Sequence, residues 1–195
     1  MITAEQQFDS TALIDFAIEG TEVAVRFPSD AEALEYVKAF QILSKVSRGP
    51  AITRRIGGVE ADRALVAHVR QGQGEPLTND QIEFIARRLA DAGVISQASV
   101  AGTYSIELRF LSELRSRFTL RLPSQLQLNA MRGCFQNTYT SGGFTRHSIH
   151  YDRLLALYDE LSISTEGYLH GAPVIHKLKM MAEMSGHLLG ARKNG

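Results

Sequence analysis

The chain of 195 residues has a single cysteine, Cys134. No disulfide can form within it, and no cage of thiolates can hold a metal. Charge of one sign is also missing. Lys plus Arg number 21 and Asp plus Glu number 21, giving a formal net charge of +0 and a pI near 7.0. Proteins that live on nucleic acid show a basic excess or stripe, because neutralising phosphate dominates that affinity; no nucleic-acid partner is expected here. A neutral chain also repels its own copies little, which is compatible with self-association. No apolar run reaches the roughly 18 residues that span a bilayer, so no membrane partner is expected. The start from Met1 to Ser10 lacks the basic stretch and apolar core of a secretory signal. These absences predict a cytoplasmic protein, or one acting inside a host cell.

Familiar chemistry is missing as well. No Gly-rich loop is followed by Lys-Ser or Lys-Thr, so Gln71-Gly72-Gln73-Gly74 makes a poor phosphate cradle, and no Gly-x-Gly-x-x-Gly opens a helix. No Gly-x-Ser-x-Gly marks a nucleophile elbow. Arg54-Arg55 and Arg146-His147 are small basic spots without the interleaved aromatics that stack on bases.

The sequence does carry a clear folding pattern. Hydrophobic residues at 44% and charged residues at 22% match an ordinary folded protein. Ile14, Phe16 and Ile18 alternate, as do Val23, Val25 and Phe27. That is the period of half-buried strands, with Gly20 in a hairpin turn between them. Pro28 stops the second strand. Ser29 to Glu32 then reads as a capping box opening a helix to about Leu43. Breaks follow at Gly49, Pro50 and Gly57-Gly58. A second helix is predicted from Val59 to Val69, and a third opens at the capping box Thr78 to Gln81, near 79–92.

The second half repeats this grammar. Tyr104, Ile106, Leu108 and Phe110 alternate, a polar gap runs from Ser112 to Ser116, and Phe118, Leu120 and Leu122 alternate again. Pro123 stops the strand and Ser124 to Gln127 forms another capping box. Val25-Arg26-Phe27-Pro28-Ser29 aligns with Leu120-Arg121-Leu122-Pro123-Ser124, an offset of 95 residues that also places Phe40 on Phe135. Asp62-Arg63-Ala64-Leu65 echoes Asp152-Arg153-Leu154-Leu155 at an offset of 90. A last helix is predicted near 174–190. The expected fold class is α+β with an internal duplication. Each copy is a β-hairpin followed by about three helices, and the hairpins pair in one antiparallel sheet. The repeats are 1–97 and 98–195, and a pseudo-twofold axis is the natural relation between them.

His147, His150, His170, His176 and His187 crowd the second half, whereas His68 is alone in the first. His147, His150 and Asp152 offer two imidazoles and a carboxylate, and so are a candidate metal or small-molecule site. Zinc needs three or four converging ligands, and spacing of three converges only on a helix. His170 and His176 with Glu166 and Ser164 can be drawn as a triad, yet no strained nucleophile turn accompanies them. Met180, Met181 and Met184 form an apolar stripe that suits either plain core or an adaptable partner groove. Cys134 is expected to be a small buried hydrophobe. No catalytic residue, cofactor or metal is assigned.

The strings Val25-Arg-Phe-Pro-Ser-Asp30, Leu120-Arg-Leu-Pro-Ser124, Ser164-Thr-Glu-Gly-Tyr168 and Pro173-Val-Ile-His-Lys177 resemble uncharacterised phage and prophage tail-region proteins of the tail assembly chaperone class. The resemblance spans most of the chain and carries no catalytic residues. It implies a non-enzymatic protein that binds other tail components during assembly in the host cytoplasm, or that becomes part of the virion. The alternative is an enzyme or regulator that binds a metal or small molecule near His147, His150 and Asp152.

Overall fold

A computed structural model describes residues 8–45, 52–72, 74–111 and 114–191. The breaks expected at Gly49 and Pro50, the start of the polar gap at Ser112, Gln73 of the 71–76 loop, and most of the N-terminal stretch lie outside these residues. The fold is α+β, with three antiparallel sheets and six helices among the described residues. No helix there is long and apolar enough to cross a membrane.

The first hairpin forms as its alternation dictates. β1 (Leu13–Ile18) and β2 (Thr21–Arg26) pair with Ile18 opposite Thr21. The two residues between them, Glu19 and Gly20, both have positive φ, the primed turn that matches strand twist. α1 (Asp30–Ala39) starts at Ser29, whose hydroxyl accepts from the Glu32 N–H while the Glu32 carboxylate accepts from the Ser29 N–H. The helix does not continue to Leu43. Phe40 is extended and leads into β3 (Gln41–Lys45), which pairs with β4 (Ile52–Ile56) on one side and with a second-half strand on the other. Hydrogen bonding on both edges outweighs the helical spacing of Leu34, Val37, Phe40 and Leu43. α2 (Gly58–Val69) and α3 (Asn79–Ala90) follow, the latter opened by the Thr78–Gln81 capping box.

β5 (Gly93–Val100), β6 (Thr103–Phe110) and β7 (Leu114–Arg121) form a meander across residues 97 and 98. α4 (Gln125–Cys134) opens at the Ser124–Gln127 box. It is followed by β8 (Phe135–Tyr139), β9 (Thr145–Ile149), α5 (Tyr151–Leu161), β10 (Ser162–Glu166) and α6 (Val174–Ala191). The two hairpins do not share a sheet. β5 and β10 occupy the outer edges of the β6–β7 hairpin, giving the order β10-β7-β6-β5. Neither edge of the β6–β7 hairpin remains for β1–β2, which forms a two-stranded sheet by itself.

The order hairpin, capped helix, hairpin, helix nevertheless recurs in the two halves, although β5 and β10 have no counterpart strand among the described residues of the first. α1 and α4 are both 10 residues long, with Ala33 and Tyr36 buried in one and Leu128 and Met131 in the other, an offset of 95. The residue after α2, Arg70, bridges to Val25, and the residue after α5, Ser162, pairs with Leu120. Arg70 and Ser162 differ by 92. At this offset the buried Leu65, Val66 and Val69 of α2 fall on Leu157, Tyr158 and Leu161 of α5. Asp62 falls on Leu154 rather than Asp152, so the Asp-Arg echo lies two residues out of register.

Two cores result. One gathers Val25, Leu65, Ile85 and Leu89 with Val174 and Ile175 of α6, and the other Leu108, Phe118, Met131 and the α6 methionines. Met180, Met181 and Met184 are each 0% exposed, so the methionine stripe is core. Asp30 Oδ1 accepts from the Val174 N–H at 2.8 Å, which ties the start of α1 to the start of α6. Phe8 exchanges main-chain bonds with Gly167 and Leu169 and stacks edge-on to Phe27 and Tyr168.

Candidate functional site

The third sheet, β4-β3-β9-β8, sets the candidate site apart from the rest of the molecule. Each half contributes one short hairpin, and β3 joins β9 through Ile42 opposite His147, Leu43 opposite Arg146 and Ser44 opposite Thr145. No residue of these four strands is buried. Sheets ordinarily bury one face against another layer. Here Ile52 is 45% exposed, Ile56 50% and Tyr139 84%.

The sheet is anchored at its base. Arg55 of β4 lies with its guanidinium 4.0 Å from the Phe40 ring centroid and donates to Asp62 at 3.0 and 3.1 Å and to the Tyr36 hydroxyl at 2.6 Å. Asp62 is almost wholly buried, so this guanidinium supplies the charge it needs. Burial pushes the Tyr36 hydroxyl up to about 12, and the neutral phenol donates to Asp62 at 2.9 Å. On the other half, the Tyr151 hydroxyl donates to the Val37 carbonyl at 3.0 Å, and Lys38 meets Asp152 at 3.4 Å. An open groove of about 380 Å³ lies here, between the end of α1 and the β9–α5 corner.

His147, His150 and Asp152 all line that groove but do not converge. His147 is in β9, His150 is the residue before α5, and Asp152 pairs with Lys38. Among the described residues no group of three His, Cys, Asp or Glu side chains could hold a metal ion. His147 is instead the middle of a row across three strands. Its Nδ1 meets Asn137 Oδ1 at 2.8 Å, which makes Nδ1 the donor, and its Nε2 faces the Ser44 hydroxyl. Hydroxyl, imidazole and amide in this order have the connectivity of an acyl-transfer triad. Ser44, however, sits within a regular strand paired on both sides. A strand so paired offers neither the strained turn of a nucleophile nor spare N–H groups for an oxyanion.

The second histidine set is also dispersed. Ser164 lies in β10, Glu166 pairs with Arg117 at 3.9 Å, and His170 is 3.9 Å from Asp9. His176 is buried in α6, stacked on Phe110 with centroids 3.4 Å apart and bonded through Nδ1 to the Tyr168 hydroxyl. Burial pushes its imidazole down to about 3, so it is a neutral part of the core at neutral pH. Cys134 is buried and its thiol is raised by that burial.

The sequence gives no sign of the Ser44–His147–Asn137 row, because Ser44 and His147 are 103 residues apart. A signal that could have linked the two strands is the Thr-Arg pair shared by Thr53-Arg54-Arg55 and Thr145-Arg146-His147, 92 residues apart. No family model, curated protein or solved structure matches this chain.

Proposed function

We propose that this chain is a duplicated, non-enzymatic protein that works by binding other proteins during assembly, and that its setting is the construction of a phage particle, the tail in particular. The observation that carries the binding role is the uncovered β4-β3-β9-β8 sheet, with no buried residue and isoleucine and tyrosine side chains in solvent. Apolar side chains left exposed on a sheet that meets the core at Phe135 and Ile149, and buries neither, fit a surface completed by a partner. Support for duplication is the run of matched elements, the matched burial in α2 and α5, and the equivalent bridges at Arg70 and Ser162. The phage setting rests on the resemblance of the Arg-x-Pro-Ser and Ser-Thr-Glu-Gly-Tyr strings alone. Co-expression with the products of the genes that flank its own tests both parts. Co-elution with a tail component is the expected result. Elution alone beside every neighbouring product, or a neighbourhood of metabolic genes, would overturn the reading.

The Ser44–His147–Asn137 row is the observation behind a second reading, an acyl hydrolase, against which the regular pairing of Ser44 on both sides stands. A fluorophosphonate probe that labels the native chain and not Ser44→Ala would establish it. Absence of label on both would dispose of it.

A further inference from the structure

The internal β3–β9 joint is not made between equivalent strands. In the proposed duplication β3 corresponds to β8 and β4 to β9, so a twofold axis through the sheet would join β3 to β8 or β4 to β9. The order found, β4-β3-β9-β8, instead sets the hairpins side by side in the same orientation. The first strand of one hairpin meets the second strand of the other. A joint of this kind is heterologous, and it leaves its own two halves unused at the outer edges. β8 presents the edge that β3 uses in the internal joint, and β4 presents the edge that β9 uses.

We propose that copies of this chain add head to tail through these edges, β8 of one copy pairing antiparallel with β4 of the next and continuing the sheet. This rests on the protein-binding reading above and names a second copy as the occupant. Carrying the internal register across at offsets of 95 and 92 places Tyr139 opposite Thr53 of the next copy, Thr138 opposite Arg54 and Asn137 opposite Arg55. The receiving strand suits this register, since Thr53 and Arg54 repeat the Thr145 and Arg146 that β3 already meets. Nothing buried has to open: four of the five residues in β8 and four of five in β4 are exposed. The zero formal net charge leaves no general repulsion to overcome. Five-residue strands make a small contact, so association at each joint is weak and the products are open chains or rings according to the sheet's twist.

The full chain is tested by sedimentation across a concentration series up to about 1 mM. The average mass should rise past that of a dimer. Thr138→Arg sets like charges opposite each other and should raise the concentration needed at least tenfold. Adding Arg54→Glu to it should restore association to within about threefold. Independently, Thr138→Cys with Arg54→Cys in one chain should give an oxidised ladder of dimers, trimers and larger species, and each single variant no ladder. A closed dimer that ignores Thr138→Arg overturns the proposal, as does a ladder absent from a double variant that unfolds like the native chain. A chain that stays monomeric at about 1 mM also overturns it. Co-elution with a neighbouring gene product would then leave the protein-binding reading standing, whereas its absence would take that reading down separately.

Discussion

Arg26 and Arg121 make the same hydrogen bond in the two halves. Each ends the second strand of its hairpin and donates to a main-chain carbonyl in the last turn of the following helix pair, Arg26 to His68 at 3.0 Å and Arg121 to Glu160. A helix leaves its last carbonyls unpaired and its C-terminus partly negative, so a guanidinium there satisfies both needs. This gives the Arg-x-Pro-Ser string a physical role: arginine closes a helix end, proline stops the strand and serine opens the next helix. The halves differ in one respect. Arg26 is also held by Glu32 at 2.7 and 2.8 Å, where the second half has Gln127, which donates to Glu160 at 3.1 Å.

That difference orders two substitutions. Arg121→Met should cost about 1 kcal/mol, the worth of a partly exposed charged hydrogen bond, and Arg26→Met about 2 kcal/mol because Glu32 loses its guanidinium and keeps only Ser29. Urea unfolding of both variants checks the order. Equal losses would mean that the carboxylate contributes nothing.

The pH dependence of stability should bear the mark of His176. The unfolded imidazole takes its proton near pH 6.5, whereas the buried one resists until about 3. Between these limits the unfolded chain binds more protons, so stability falls on acidification, at a limiting slope of about 1.4 kcal/mol per pH unit. Glu32, held down to about 2 chiefly by Arg26, acts in the same direction only below its ordinary value of 4.5. Unfolding free energies at pH 7.5, 5.5 and 4.5 therefore isolate the histidine. His176→Phe should flatten this range.

Gly167 is the glycine that should not tolerate a side chain. Its φ is +97, and an added Cβ would fall on the Arg115 carbonyl oxygen and 3.2 Å from Ser116. Gly167→Ala is expected to cost on the order of 3 kcal/mol, since backbone on both sides must shift. Gly102, with φ +82 and open space around it, is the control, and Gly102→Ala should lose no more than about 1 kcal/mol. Denaturant midpoints compare the two.

Asp62→Ala should be the most costly change at the base of the exposed sheet, about 3 kcal/mol, because it leaves Arg55 without its buried counter-charge. Tyr36→Phe removes one hydrogen bond to each neighbour and should cost about 1 kcal/mol. If the Arg55 cluster fixes β4, amide exchange in residues 52–56 should quicken in Asp62→Ala more than exchange in β6.

Strands with one buried face announced themselves. Tyr104, Ile106, Leu108 and Phe110 alternate because β6 lies on a core, and all four are buried. The three capping boxes were equally plain, since each needs only two side chains three residues apart. β3, β4, β8 and β9 gave no such signal because no residue of their sheet is fully buried, and alternation records only burial. β5 was silent for the same reason: all eight of its residues are exposed. The placement of the hairpins in separate sheets depends on which edges β5 and β10 fill, and no local pattern encodes that. The candidate site was unreadable because it is a joint between halves. Asn137 meets His147 within one hairpin, but Ser44 reaches it only through the register of β3 with β9.

The first core has a consequence for the order of events during synthesis. It includes Val174 and Ile175, and Asp30 at its edge waits for the Val174 N–H. A ribosome delivering this chain from its N-terminus therefore releases the hairpin and three helices of the first half well before their core can close. Through that interval Val25, Leu65 and Ile85 lack their last neighbours. Folding of the first half is finished by the second, so the two halves mature together rather than in turn.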